Sequence, residues 1–204
     1  MRMKSATGDG VLQALNNTHA RALAEADQLE KALTNLQFEG KSSFGRNLKQ
    51  VCAVCKFLQR DLMRHMQVEE RIVFTFIETH LPKLERIIFL FRSEHLDFVR
   101  NLKAFKFQLQ KLAEGRTESR RGTIIEDIKI SGVYLVNLLK SHIYVEDECF
   151  CKMVECELSS SEKKILGEQI KGHSSKFKEK YREDNGEAER RNESKRKNRS
   201  ASRN

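Results

Sequence analysis

Apolar residues recur at steps of three and four along four long stretches of this chain, and a single proline occurs in 204 residues. That spacing holds one stripe of side chains on one face of an α-helix. In the first stretch the stripe runs from Leu12 through Leu15, His19, Ala22 and Leu29 to Leu36. In the second it runs from Phe44 through Cys55, Leu58, Leu62, His65, Glu69 and Ile72 to Phe76. The third carries Leu84, Ile88, Phe91, His95, Phe98 and Leu102, and ends near Leu112. The fourth carries Ile124, Ile128, Leu135, Leu138, His142, Glu146, Cys149 and Met153. Gly40 and Gly115 supply stops, Ser42–Ser43 an N-cap, and Pro82 a first-turn residue. Thr123 with Glu126 reads as a capping box. The expectation is an all-α, up-down-up-down four-helix bundle over residues 1–158. Past the break at Ser159–Ser161, Leu166 and Ile170 mark a short amphipathic helix over 159–181.

So few breakers argue against an all-β chain, which needs frequent turns. No apolar run approaches the roughly 20 residues of a membrane-spanning helix, and MRMKSATGDG lacks the apolar core of a secretory signal. Five cysteines then point to a reducing, cytoplasmic setting. The net charge of +9 is uneven: residues 174–204 hold 11 basic and 6 acidic side chains, with Phe177 and Tyr181 almost alone as apolar ones. Residues 182–204 are therefore expected to be a disordered basic tail. Such a tail can bind nucleic acid, but its acidic residues favour a solubilising role.

Each stripe carries one histidine, and two carry a glutamate four residues later, His65-x-x-x-Glu69 and His142-x-x-x-Glu146. A lone histidine on an apolar face is ordinarily a core residue bonded to a carbonyl. A buried carboxylate is harder to accommodate, because unpaired it is strongly destabilising. Counted from the connecting loops, the four histidines fall within about 5 Å of one level if successive helices alternate in direction. Glu69 and Glu146 then meet at the same level. Four imidazoles and two carboxylates exceed a tetrahedral zinc set. They suit two metals bridged by both carboxylates, with an oxo, hydroxo or water bridge and a small exogenous ligand. This ligation suits iron, while affinity order leaves zinc and manganese open. Ferritin-like centres use Glu-x-x-His, a pattern the sequence lacks.

The complete set, with HMQVEERIVF around Glu69, SEHLDF around His95 and HIYVEDECF around Glu146, resembles the hemerythrin-like (HHE cation-binding) domain from about Val11 to about Glu157. The resemblance implies a non-haem centre of two iron ions that binds or reacts with dioxygen or nitric oxide, or that stores or senses iron. Its ligands would be His19, His65, Glu69, His95, His142 and Glu146. Oxygen-carrying members have an HxxxH pair on the third helix. Here Phe91 and Val99 stand at that spacing from His95, which counts against reversible carriage.

The functional expectation is a non-enzymatic small-ligand binder or sensor, monomeric or weakly associating, with no catalytic residue. Two rivals are a di-iron enzyme acting on peroxide or oxygen, and a metal-responsive interaction protein that uses its basic tail. Leu15, Leu62, Ile72, Phe98, Leu102 and Leu138 are expected to form the dry wall of the centre. Cys52, Cys55, Cys149, Cys151 and Cys156 read as small buried hydrophobes, and Glu70, Asp147 and Glu148 as solvated or outer residues.

Overall fold

A computed structural model describes residues 12–38, 41–114 and 121–173, and every regular element among them is helical. The expected stops at Gly40 and Gly115 and the tail 182–204 lie outside these residues, as does the last part of the C-terminal helix. The first rod is α1 (Gln13–Phe38). The second is built from α2 (Lys41–Phe57), α3 (Met63–Val68) and α4 (Phe74–His80). Wider π turns join these three at Leu58–Leu62 and Glu69–Val73. Leu81 leaves helical geometry, and Pro82 opens a 3-10 turn that leads into α5 (Glu85–Ala113). The fourth rod is α6 (Arg121–Val145) and α7 (Cys151–Glu157), joined by a π turn at Glu146–Phe150. A final helix, α8, covers residues 160–173.

α1 packs on α2 and α6, and α5 packs on α6. The apolar interior forms two bodies. One joins Ala22 to Leu36 of α1 with Val51 to Met66, Phe98 to Leu112 and Ile124 to Ile143. The other joins Leu12 and Leu15 with Val73 to Ile77, Leu84 to Phe91, Phe150 to Leu158, and Leu166 and Ile170 of α8. The beginnings of α1 and α5 thus meet the ends of the second and fourth rods. Between the two bodies lie six buried polar residues: His19, His65, Glu69, His95, His142 and Glu146.

Three details differ from the sequence expectation. After Glu69 the buried stripe continues through Val73 and Ile77, while Ile72 is only partly buried. After Glu146 it continues through Phe150 and Val154, leaving Cys149 exposed and Met153 36% exposed. Each π turn inserts one extra residue into its helix, which advances the register by one position. In α6 the stripe runs through Leu135 and Leu139, with Leu138 half-buried. Ser42, Ser43 and Thr123 stand inside their helices instead of capping them. The capping box forms at α8 instead. The Ser159 N–H donates to Glu162 Oε2 at 2.8 Å, and the Glu162 N–H donates to Ser159 Oγ at 3.3 Å.

Gly132 lies where α6 packs on α1. A Cβ there would lie 2.4 Å from Leu33 Cδ1 and 3.0 Å from Phe105 Cε2, both in the core. Gly45, within α2, has nothing within 4 Å of such a Cβ. Gly132→Val should therefore lower stability by about 1–3 kcal/mol through overpacking. Gly45→Ala should raise it by about 0.5–1 kcal/mol through helix propensity. Urea unfolding of both variants measures the contrast.

Candidate metal centre

All six residues singled out in the sequence converge where the two apolar bodies meet, each on a different turn of the four rods. Glu69 and Glu146 each open a π turn, and their carbonyls accept the N–H five residues on, from Phe74 and Cys151. The wider turn keeps each glutamate on the face of its histidine partner while re-aiming the helix beyond it. Phe74 then closes the far side of the cluster, its ring stacked on His95 at 5.8 Å and on Phe91 at 5.9 Å. Phe150 meets Phe74 and Phe91 edge-on at 5.9 and 5.4 Å, and Phe91 meets His142 edge-on at 5.0 Å. The apolar wall is thus aromatic on one side. Of the expected wall, Leu15, Leu62, Phe98 and Leu102 are buried, half-buried Leu138 lies beside His95 and His142, and Ile72 is only partly buried.

The donor atoms gather in two overlapping groups. His19, His65, Glu69 and Glu146 offer one set within 4.8 Å of one another, and Glu69, His95 and His142 offer the other. Glu69 belongs to both. Its Oε1 faces His65 Nε2 and lies 3.5 Å from His19 Nε2, while its Oε2 lies 3.5 Å from His95 Nε2. Glu146 Oε2 lies 3.5 Å from His19 Nε2 and 3.4 Å from His142 Nε2.

Three imidazoles are oriented from behind by carboxylates. His19 Nδ1–H donates to Asp147 Oδ1 at 2.7 Å, His95 Nδ1–H to Glu70 Oε1 at 2.9 Å, and His142 Nδ1–H to Glu94 Oε2 at 2.7 Å. A carboxylate only accepts, so each Nδ1 carries the proton and each Nε2 turns its lone pair inward. Glu70 and Asp147 are therefore the orienting partners, whereas Glu148 pairs with Lys152 outside the cluster. The sequence reading missed Glu94. Glu94 pairs with His142 on another rod, which no spacing within its own helix records.

This donor set fits metal. All four oxygens of Glu69 and Glu146 are buried without a hydrogen-bond donor. The Nε2 atoms of His19 and His65 approach to 2.7 Å, and those of His95 and His142 to 3.2 Å. With Nδ1 protonated on both His95 and His142, neutral imidazoles would oppose lone pairs at 3.2 Å. Cations between the paired nitrogens and the carboxylates satisfy all of these atoms at once. The other sequence features stand apart. His80 ends α4, donates from Nδ1 to the Phe76 carbonyl at 2.8 Å and stacks on the Phe76 ring. Cys55 and Cys151 are buried, and burial pushes the Cys55 thiol up to about 11. Cys149 and Cys156 are exposed, contrary to the expectation for them.

Without a metal, protons take the place of cations. Burial pushes the His19 pKa down, but Asp147, Glu69 and Glu146 outweigh it and raise the group to about 10. His142 is likewise raised to about 9, with Glu146 and Glu94 overcoming burial. Burial pushes Glu69 up, yet His65, His19 and His95 hold it well below the ordinary value of 4.5. For the histidines, stability is complete below the ordinary value of 6.5 and is lost as pH rises through about 9 to 10. For Glu69 it is present above 4.5 and lost as pH falls. The metal-free protein should therefore lose thermal stability between about pH 7 and pH 10, while the metal-loaded protein, with neutral ligated imidazoles, should not. Melting curves across that range with and without chelator make the comparison.

A family model described as the hemerythrin HHE cation binding domain matches residues 10–154 of the chain. Comparison with curated proteins gives no match.

Proposed function

Since the chain belongs to the hemerythrin HHE cation-binding family, we propose that its six-residue cluster holds two iron ions within an up-down-up-down four-helix bundle. The domain would span residues 1–158, followed by the C-terminal helix and the basic tail. One observation carries this reading: a single carboxylate, Glu69, fully buried, turns one oxygen to His19 and His65 and the other toward His95. A shared carboxylate is what two adjacent cations require of a protein. Two irons, when bound, supply open coordination positions and electrons for a small molecule such as dioxygen or nitric oxide.

The residues of the chain divide the remaining work. Glu69 and Glu146 neutralise cationic charge, and Asp147, Glu70 and Glu94 fix the tautomers of three imidazoles. Phe74, Phe91 and Phe150 keep water from one side of the cluster. Each half has two imidazoles, and Glu69 and Glu146 face both halves. Phe91, packed on His142, stands one turn before His95 where a fifth histidine would add another donor. Positions left to water there favour oxidation of the centre over clean oxygen release. Sensing of dioxygen or nitric oxide, or iron handling, therefore ranks above carriage.

No described helix is long and apolar enough to cross a membrane. The five cysteines of the sequence favour a reducing, cytoplasmic setting, and we propose a monomer or weak oligomer. We assign no catalytic residue.

Anaerobic loading with ferrous iron followed by metal analysis tests the assignment. The unmodified chain should hold about two irons, and melt well above the metal-free form. Glu69→Ala should lose both metals, whereas His95→Ala should keep about one, because Glu69 faces imidazoles of both groups and His95 belongs to one. A single metal in the unmodified chain, or independent retention of one metal by Glu69→Ala, would refute the shared centre.

A further inference from the structure

A solvent-open cleft of about 480 Å³ reaches the cluster from the side of α1, the π turn at Leu58–Leu62, α3 and α8. That volume suits a small organic ligand. Of the six cluster residues only His65 lines it, with Asn17, Arg21, Asp61, Arg64 and Ile170 around the ring. His65 also differs from the other imidazoles on its outer side. Carboxylates hold Nδ1 of His19, His95 and His142, whereas among the described residues none holds Nδ1 of His65. It is the ligand least tethered against turning about its side-chain bonds, and the cleft offers the room to turn.

The charge at the rim selects what can approach. Asp61 accepts two hydrogen bonds from Arg60, at 2.9 and 3.0 Å, so its own charge is offset. Arg21, with 58% of its side chain exposed, lies 4.6 Å over the Phe57 ring and 3.6 Å from Asp61. With Arg64 beside it, the rim is net positive. Such a rim repels a bare divalent cation. It attracts a metal held by a small polycarboxylate, because guanidinium groups pair with carboxylates in a forked geometry.

We propose that this cleft is the port at which metal passes from an anionic polycarboxylate chelate to the half formed by His19, His65, Glu69 and Glu146. Arg21 and Arg64 hold the chelating anion, and His65 is the first protein ligand to take the metal. The exchange breaks metal–carboxylate bonds to the chelate and forms the bond to His65 Nε2. The polycarboxylate leaves as a free anion, and no electron moves. Ile170, beyond the residues matched by the family, forms part of the wall, so α8 contributes to the port.

The proposal rests on the two-metal reading above, and its test separates the two. The full-length metal-free chain is mixed anaerobically with ferrous citrate or with ferrous sulfate, quenched with chelator at successive times, desalted and analysed for iron. Arg21→Gln should slow uptake from citrate at least about fivefold and leave uptake from the aqua ion unchanged or faster. Asn17→Trp, which fills the mouth, should slow uptake from both sources about tenfold with the same final iron content and helical circular dichroism. Two irons taken up by Asn17→Trp at the unmodified rate, or equal slowing from both sources in Arg21→Gln, would overturn the port and leave the two-metal reading intact. No uptake from either source by the unmodified chain would overturn both.

Discussion

Two carboxylates with no exposed surface, Glu69 and Glu146, set the terms for the whole fold. A buried carboxylate is tolerated only with compensating charge or hydrogen bonds, and these oxygens have no hydrogen-bond donor. What faces them instead is a set of imidazoles, three of which are turned inward by Asp147, Glu70 and Glu94. The cluster interrupts the apolar interior and leaves separate apolar bodies on either side. Positive charge at this level, whether from metal or from protons, therefore stabilises the meeting of all four rods.

The π turns are the local means of accommodating that constraint. A regular helix after Glu69 would have carried the stripe through Ile72, and after Glu146 through Cys149 and Met153. One added residue per turn brings Val73, Phe74, Phe150 and Val154 inward instead. The aromatic wall against His95 and His142 exists because of that shift. Widened turns recur in helices where a functional side chain must be aimed independently of packing. Here each begins at the glutamate itself.

Much of this was legible from spacing alone. The three-and-four repeat located the rods, and the shared level of His19, His65, His95 and His142 located the cluster, because rise per residue is nearly constant in helices. The register beyond each glutamate was not legible. Apolar residues such as Ile72 and Val73 stand side by side in the sequence and fit either face, so only packing decides between them. The role of Glu94 was hidden for a related reason. It reaches across to His142 on another rod, and no spacing within one helix records such a pairing. Capping likewise depended on where each helix begins: Ser159 with Glu162 forms the box that Thr123 with Glu126 was expected to form. At the site, sequence named the inward-facing donors, and the structure added the carboxylates that orient them.

The central claim is that Glu69 lies between two cations. Anomalous diffraction at the iron edge, from crystals of the anaerobically iron-loaded full-length chain, tests it most directly. The account predicts two iron peaks flanking the Glu69 carboxylate, one beside His19 and His65 and the other beside His95 and His142. A single peak, or iron bound away from these residues, would contradict it.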